Sequence, residues 1–166
     1  MSNKKTLNIM FGDFGYFNRH TRFSRYTPLG IGYIAQYAKQ KFGNEVDVSL
    51  YKEIDKFFDK AKERAPDVVG LTCFYWNNNL NQYVVKRLRE MYGNEVTIIL
   101  GGPSIDSETN QQKLFLTKSF PQADAIVINE GEIAFSNIIE KILSNKKTVY
   151  DGPIDGLSFL NDGNLV

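Results

Sequence analysis

Cysteine and histidine are almost absent from this chain, which contains one of each in 166 residues. With Cys73 alone, the chain can form no internal disulfide and cannot hold a cysteine-ligated iron–sulfur cluster. A nucleophilic cysteine also needs a neighbouring base, and His20 has no evident pairing motif. We therefore interpret Cys73 as an inert buried thiol and His20 as a surface residue rather than a metal ligand.

An excess of one charge is also missing: 20 lysine and arginine residues face 19 aspartate and glutamate residues, for a formal net charge of +1. Because no block of like charge interrupts the sequence, we expect neither nucleic acid nor a membrane as a partner. The longest apolar runs, such as residues 96–100, are far shorter than the roughly 20 residues that cross a bilayer. The first residues show no signal-peptide pattern, so we expect a cytoplasmic location.

Strand-like apolar runs alternate with helical spacing along the chain. After the first run, for example, apolar residues recur at the helical positions Ile31, Ile34, Ala35, Ala38 and Phe42. The five predicted strands are residues 7–11, 46–51, 68–72, 96–100 and 125–128. Strands that alternate with helices form a mainly parallel sheet covered on both faces. We therefore predict an α/β fold, doubly wound and flavodoxin-like (Rossmann-like), with a five-stranded sheet.

The composition changes after Lys147, where glycine and proline become frequent. Asn161-Asp162-Gly163 lies between two apolar runs, which is typical of a small β-hairpin. We predict a domain over residues 1–147 and a connector with a hairpin over residues 148–166. Because the sequence stops inside the second hairpin strand, we expect that it belongs to a longer protein.

The loops that follow the strands are the predicted site, because ligands of open parallel sheets bind beyond the carboxyl ends of the strands. The loop over residues 12–28 is long for a strand-to-helix connection, and long loops in compact domains often carry function. We expect it to cover the ligand. The other loops at this edge are residues 73–79, 101–106 and 129–132.

Two of these loops have glycine where a ligand could approach the backbone. In Gly101-Gly102-Pro103 the two glycines have no side chain, so a ligand could lie against the backbone, and Pro103 restricts the conformation of the residues that follow. An ordinary tight turn has the same composition. Glu130-Gly131-Glu132 places amide groups and carboxylates where a strand passes into a helix, so both could meet ligand hydroxyls. The alternative is a plain helix start, in which Glu132 favours the helix dipole.

The exit from the third strand, Thr72-Cys73-Phe74-Tyr75-Trp76, is densely aromatic and contains the only tryptophan. Such a surface suits a broad, flat ligand. The alternative is that these rings close the top of the core.

Four segments together resemble one family: residues 27–35 (TPLGIGYIA), 67–72 (DVVGLT), 100–104 (LGGPS) and 129–132 (NEGE). In order and spacing they resemble the cobalamin-binding domains that precede the catalytic domain of many radical S-adenosylmethionine (SAM) enzymes. The resemblance covers nearly the whole chain. The segment Gly156-Leu157-Ser158-Phe159, with its hairpin, is similar to the connector into that catalytic domain.

The resemblance implies that the nucleotide tail of cobalamin enters a slot beside the sheet while the corrin ring lies across the strand ends. It implies a tail slot lined by Thr72 and the double glycine, with Glu130 and Gly131 near its far end. It implies a corrin surface formed by the start of the first helix and the aromatic exit from the third strand. The cofactor-binding residues that follow are Leu29, Gly30, Thr72, Phe74, Tyr75, Gly101, Gly102, Pro103, Glu130 and Gly131.

Two departures qualify the resemblance. The Asp-x-His-x-x-Gly signature that supplies a histidine to cobalt in methionine synthase and the mutases is absent, since Asp13 and His20 are too far apart. The resemblance therefore implies cobalamin without a protein histidine ligand.

The catalytic partner normally holds a [4Fe-4S] cluster with three cysteines, so the cluster and SAM would belong to a domain outside this chain. We expect this chain alone to perform no turnover; the parent could be a methyltransferase or a cyclase.

Other functions of the same fold class fit less well. A response-regulator receiver needs an aspartate after the third strand, where this chain has Thr72-Cys73-Phe74. A flavodoxin needs a phosphate loop rich in serine, threonine and glycine, which Phe14, Tyr16 and Phe17 do not supply. Two alternatives stay open: a non-enzymatic cobalamin sensor or carrier, and a degenerate domain kept only for interdomain packing.

Overall fold

The computed structural model describes residues 6–16, 27–144 and 152–166. Five parallel strands and five helices alternate through most of this chain, followed by three short strands. The strands are β1 (Leu7–Gly12), β2 (Val46–Tyr51), β3 (Val68–Thr72), β4 (Thr97–Gly101), β5 (Ala125–Val127), β6 (Leu157–Ser158), β7 (Leu160–Asn161) and β8 (Asn164–Leu165). The helices are α1 (Leu29–Phe42), α2 (Ile54–Glu63), α3 (Asn78–Tyr92), α4 (Thr109–Leu114) and α5 (Gly131–Leu143). None of the helices in these ranges has both the length and the apolar character needed to cross a membrane.

The main sheet has the strand order β2-β1-β3-β4-β5-β6, with β1 to β5 parallel. This confirms the predicted α/β fold and its five parallel strands. The chain moves outward from β1 to β2 and then returns to place β3 on the other side of β1. The winding therefore reverses between β1 and β3, and a crevice is expected beyond their carboxyl ends.

Alternation along the strands divides the core between the two faces of the sheet. In β1, Ile9 and Phe11 belong to the buried cluster beneath α1 and α5, whereas Met10 belongs to the cluster beneath α2 and α3. Successive side chains of a strand point to opposite faces, so one strand supplies both cores. Both faces are covered, as a doubly wound sheet requires.

The C-terminal segment is part of the folded unit. β6 pairs antiparallel with β5, through Ile126 with Ser158 and Val127 with Leu157, so the sheet has a sixth strand that the sequence did not predict. β7 and β8 form the predicted hairpin. The Phe159 side chain is buried in the core beneath α1 and α5. The proposed division at residue 147 falls within residues 145–151, outside the described part of the chain.

Candidate functional site

A cavity of about 690 Å³ opens at the carboxyl edge of the sheet, where the winding reverses. Ligand pockets of proteins commonly have this size and mostly apolar walls. Strands β1, β3, β4 and β5 all contribute to its walls, as do the first turns of α1 and α5. The structure brings all ten predicted residues to this one cavity: Leu29, Gly30, Thr72, Phe74, Tyr75, Gly101, Gly102, Pro103, Glu130 and Gly131 line it.

Bare backbone forms the cavity wall between the ends of β3 and β4. Gly102 has a φ of 114°, and a Cβ atom there would lie 2.9 Å from the carbonyl oxygen of Cys73. The segments that follow β3 and β4 are hydrogen-bonded to each other. The Cys73 N–H donates to the Gly101 oxygen (2.6 Å), and the Ser104 N–H donates to the Cys73 oxygen (3.1 Å). Glycine is therefore required at residue 102 by both its conformation and its close approach to β3.

The far wall of the cavity is the start of α5. A Cβ atom on Gly131 would lie 2.6 Å from Cδ1 of Ile34, so a larger residue would displace the end of the Ile34 side chain, which lines the same cavity. Glu130 precedes this glycine and is exposed at the cavity rim, and Glu132 follows it in the first turn. Carboxylates and free amide groups thus meet at this wall.

The Thr72 hydroxyl is the one polar atom of the predicted residues that is buried without a partner in the described structure. Its carbonyl group, in contrast, accepts hydrogen bonds from Asn77 (2.9 Å) and Asn81 (3.0 Å). Burying a hydroxyl without a partner costs about 1–3 kcal/mol. Thr72 lines the cavity, so a polar ligand group that reached its hydroxyl would remove this cost. Thr72 is therefore a candidate for a ligand contact.

The aromatic exit from β3 forms a ridge at the cavity mouth. Phe74 stacks on Trp76 with ring centroids 4.4 Å apart and an interplanar angle of 7°, and Tyr75 meets Trp76 edge-on at 4.8 Å. Tyr75 is 81% exposed and Trp76 is 45% exposed. These two rings therefore do not close the top of the core. The ridge of Phe74, Tyr75 and Trp76 leaves exposed aromatic surface that a ligand can cover.

Asn77 fixes this ridge, a role that sequence reasoning missed. Its side chain is fully buried, and its Oδ1 accepts a hydrogen bond from the Phe74 N–H at 2.9 Å. Asn81, one helical turn later, donates to Thr72 and contacts Asn77 Oδ1 at 3.3 Å. An asparagine at a strand exit, followed by another four residues later on the same helix face, was the available signal.

Asp13 and Lys52 are further cavity residues that were not predicted as ligand contacts. They lie just beyond the ends of β1 and β2, which are neighbours in the sheet. Burial raises the pKa of the Asp13 carboxyl, and the positive charge of Lys52 partly opposes this rise. The cavity therefore contains a carboxyl group that is held partly out of water.

Cys73 is buried, as the sequence indicated. Burial raises the pKa of its thiol to about 12, against a smaller opposite effect of the Asn81 hydrogen bond. The thiol is thus protonated at neutral pH and cannot act as a nucleophile there.

In the part of the chain that the structure describes, no three His, Cys, Asp or Glu side chains are arranged to hold a metal ion. His20 lies outside that part, as do residues 17–26 of the loop over residues 12–28 that was expected to cover the ligand.

The ligand class follows from a comparison with protein families. The model of the B12 binding domain family matches residues 17–139. This chain belongs to the B12-binding domain family. The domain is 29% identical over 126 residues to the cobalamin-dependent radical SAM methyltransferase TokK of Streptomyces tokunonensis, a match that covers 72% of this chain and 18% of TokK. The B12-binding domain described here thus spans about a fifth of the curated relative.

A solved structure shares the fold of this B12-binding domain. The 1.5 Å crystal structure of a novel cobalamin-binding protein from Desulfitobacterium hafniense DCB-2 aligns with a TM-score of 0.60 at 17% identity, covering 83% of this chain and 59% of that one.

The cavity fits the chemistry of cobalamin on two observations. Gly101 and Gly102 present backbone without side chains at the cavity wall, where a narrow chain of atoms could lie along the ends of β3 and β4. Thr72, whose hydroxyl has no partner among the described residues, lines the same cavity. The exposed aromatic rings of the ridge offer apolar surface to a ring. A nucleotide tail and a corrin ring have these two shapes.

Proposed function

We propose that this B12-binding domain holds cobalamin at the carboxyl edge of its sheet and presents it to a radical SAM catalytic domain of the same parent protein. The observation that supports cobalamin binding at this edge is the buried, unpartnered Thr72 hydroxyl near the backbone of Gly102. The family match supports the identity of the ligand.

The nucleotide tail is proposed to enter a slot beside the sheet, along the ends of β3 and β4. There it would meet Thr72 and the backbone of Gly101 and Gly102, and it would end near Glu130 and Gly131. Each of these residues lines the same cavity. Hydroxyl groups of the tail can accept from, or donate to, Thr72 Oγ1, and they can donate to the Glu130 carboxylate.

The corrin ring is proposed to lie against two apolar surfaces at the cavity mouth. Leu29, which is 60% exposed, and Gly30 open α1 on one side, and the ridge forms the other. Covering exposed apolar side chains with a ring of this size is favourable because it removes their area from water. We propose no histidine ligand to cobalt from this chain.

The partner domain is proposed by analogy with TokK, whose name combines cobalamin dependence with radical SAM methyl transfer. SAM and a [4Fe-4S] cluster would belong to that domain, since Cys73 is buried and cannot reach a cluster. Bound cobalamin would supply a cobalt centre for group transfer, and this chain would hold and orient it. Three closely spaced cysteines in the downstream coding sequence would favour this enzyme over a sensor or carrier.

The first test is to mix the purified chain with hydroxocobalamin, remove free cofactor by desalting and record the visible spectrum of the protein fraction. We expect a stoichiometric corrin spectrum. Thr72→Val keeps the shape but removes the hydroxyl, so it should weaken binding about tenfold. Thr97→Val is the matched control, because Thr97 begins β4 at the opposite edge of the sheet. A colourless wild-type fraction would refute cobalamin binding by this chain.

A further inference from the structure

A second groove lies on the outer side of the ridge. Its lining consists of Phe74, Tyr75, Trp76, Asn78, Pro103 and Ser104. All of these except Asn78 and Ser104 also line the main cavity. The ridge and Pro103 thus form a shared wall, and a ligand that covers the ridge can extend a side group over it into the groove.

Asn78 is the feature of this groove that the fold does not explain. Its Oδ1 atom is buried and accepts no hydrogen bond from the described residues. Asn77 is bonded through both its oxygen and its nitrogen. The Asn81 oxygen is also buried without a partner, but Asn81 lines neither the groove nor the main cavity. A buried amide oxygen without a partner is costly, so native structures rarely retain one unless water or a ligand supplies the missing donor.

We propose that this outer groove is a subsite for a primary carboxamide of the ligand, recognised by Asn78. The inference rests on the proposed function, since the rim of the corrin ring carries such amide groups. A primary amide can donate an N–H to Asn78 Oδ1 and accept one from Asn78 Nδ2, which pairs both groups. The torsion that turns the asparagine amide towards the groove is broad and costs little.

The charge of the groove selects the same chemical class. None of its six lining residues has a charged side chain, and Ser104 adds a neutral hydroxyl. A carboxylate placed there would lose water without gaining an opposite charge, which is unfavourable. The groove should therefore discriminate an amide from the corresponding acid.

The test compares hydroxocobalamin with its monocarboxylate derivatives, in each of which one rim propionamide has been hydrolysed to the acid. Dissociation constants are measured for the wild-type chain, for Asn78→Ala and for the matched control Asn79→Ala, whose side chain is exposed on the same helical turn. We expect one monocarboxylate to bind the wild type about tenfold more weakly than hydroxocobalamin. In Asn78→Ala this ratio should fall at least threefold, and in Asn79→Ala it should not change.

Asn78→Asp provides a second variant that keeps the size of the side chain. It still offers an acceptor to an amide, so hydroxocobalamin should bind within about threefold of the wild-type value, whereas the sensitive monocarboxylate should bind more weakly still. If all monocarboxylates show the same ratio in the wild type and in Asn78→Ala, the subsite is wrong while cobalamin binding stands. If the wild type binds no hydroxocobalamin, the proposed function itself fails.

Discussion

The side-chain amide of Asn77 donates a hydrogen bond to the carbonyl oxygen of Phe14 over 3.2 Å. Phe14 follows β1 and Asn77 follows β3, so this bond ties together the two loops at the point where the sheet reverses its winding. The same nitrogen also donates to the Thr72 carbonyl at 2.9 Å. The rim of the cavity is therefore fixed before a ligand arrives.

Replacing Asn77 should destabilise the fold. Asn77→Ala leaves the Phe14 carbonyl and the Phe74 N–H without their side-chain partner in a buried region, and we expect a loss of about 2–3 kcal/mol in the free energy of unfolding. Urea denaturation measures this loss. The exposed neighbour Asn79→Ala should stay within about 0.5 kcal/mol of the wild type. Equal stability of both variants would show that the Asn77 network contributes little.

Gly102 should tolerate no side chain. Gly102→Ala places a Cβ atom 2.9 Å from the Cys73 carbonyl oxygen at a φ of 114°, which we expect to cost about 1–3 kcal/mol of stability and to narrow the proposed tail slot. Gly32→Ala is the matched control, because Gly32 lies inside α1 with open space around its Cβ position. That change should stabilise the protein by about 0.5–1 kcal/mol. A Gly102→Ala protein with wild-type stability and hydroxocobalamin affinity would contradict the close approach.

Asp13 should make stability depend on pH. Burial raises the pKa of this carboxyl above its ordinary value of 3.8. Its contribution to stability is therefore fully present below that value and is lost as the pH rises through the higher folded-state pKa. Asp13→Asn cannot ionise, so its free energy of unfolding relative to the wild type should increase between pH 3.8 and neutral pH. Urea denaturation over this range would disprove the assignment if the difference between the two proteins stayed constant or decreased.

The Cys73 thiol should be unreactive in the folded protein. With a pKa of about 12 and no solvent exposure, it should react with a disulfide reagent far more slowly than a free thiol at pH 8. Guanidinium should release one reactive thiol per chain, which provides the internal control. Rapid modification of the native protein would mean that the β3 exit opens readily.

His20 should not bind cobalt. Electron paramagnetic resonance of the bound cobalt(II) form reports a nitrogen ligand through the splitting of its lines. We expect wild type and His20→Ala to give the same spectrum and the same affinity for hydroxocobalamin. Nitrogen splitting that disappears in His20→Ala would assign the histidine as a ligand.

The fold was predictable because each parallel strand is a short apolar run, and buried strands need no more specific signal. Strand β6 could not be predicted, because two residues form a strand only through pairing with a neighbour. Leu157 and Ser158 pair with Val127 and Ile126. The sequence suggested only a hairpin in that region.

The location of the cavity was predictable from topology, since the carboxyl ends of parallel strands share one edge. The roles of Asn77 and Asn78 were not, because they depend on which backbone groups approach each amide in three dimensions. Three consecutive asparagines look alike in the sequence, yet one is fully bonded, one retains an unpartnered oxygen and one faces solvent.

The residues that line the cavity extend along the sequence from Phe11 to Phe135. No shorter piece of the chain contains it, so a growing polypeptide acquires the site only after β5 and the start of α5 have been synthesised and have docked. A ligand that binds only this assembled state adds its binding energy to the folded protein alone, about 2.7 kcal/mol when its free concentration is 100 times Kd. A supply of cofactor during synthesis would then increase the fraction of chains that is folded.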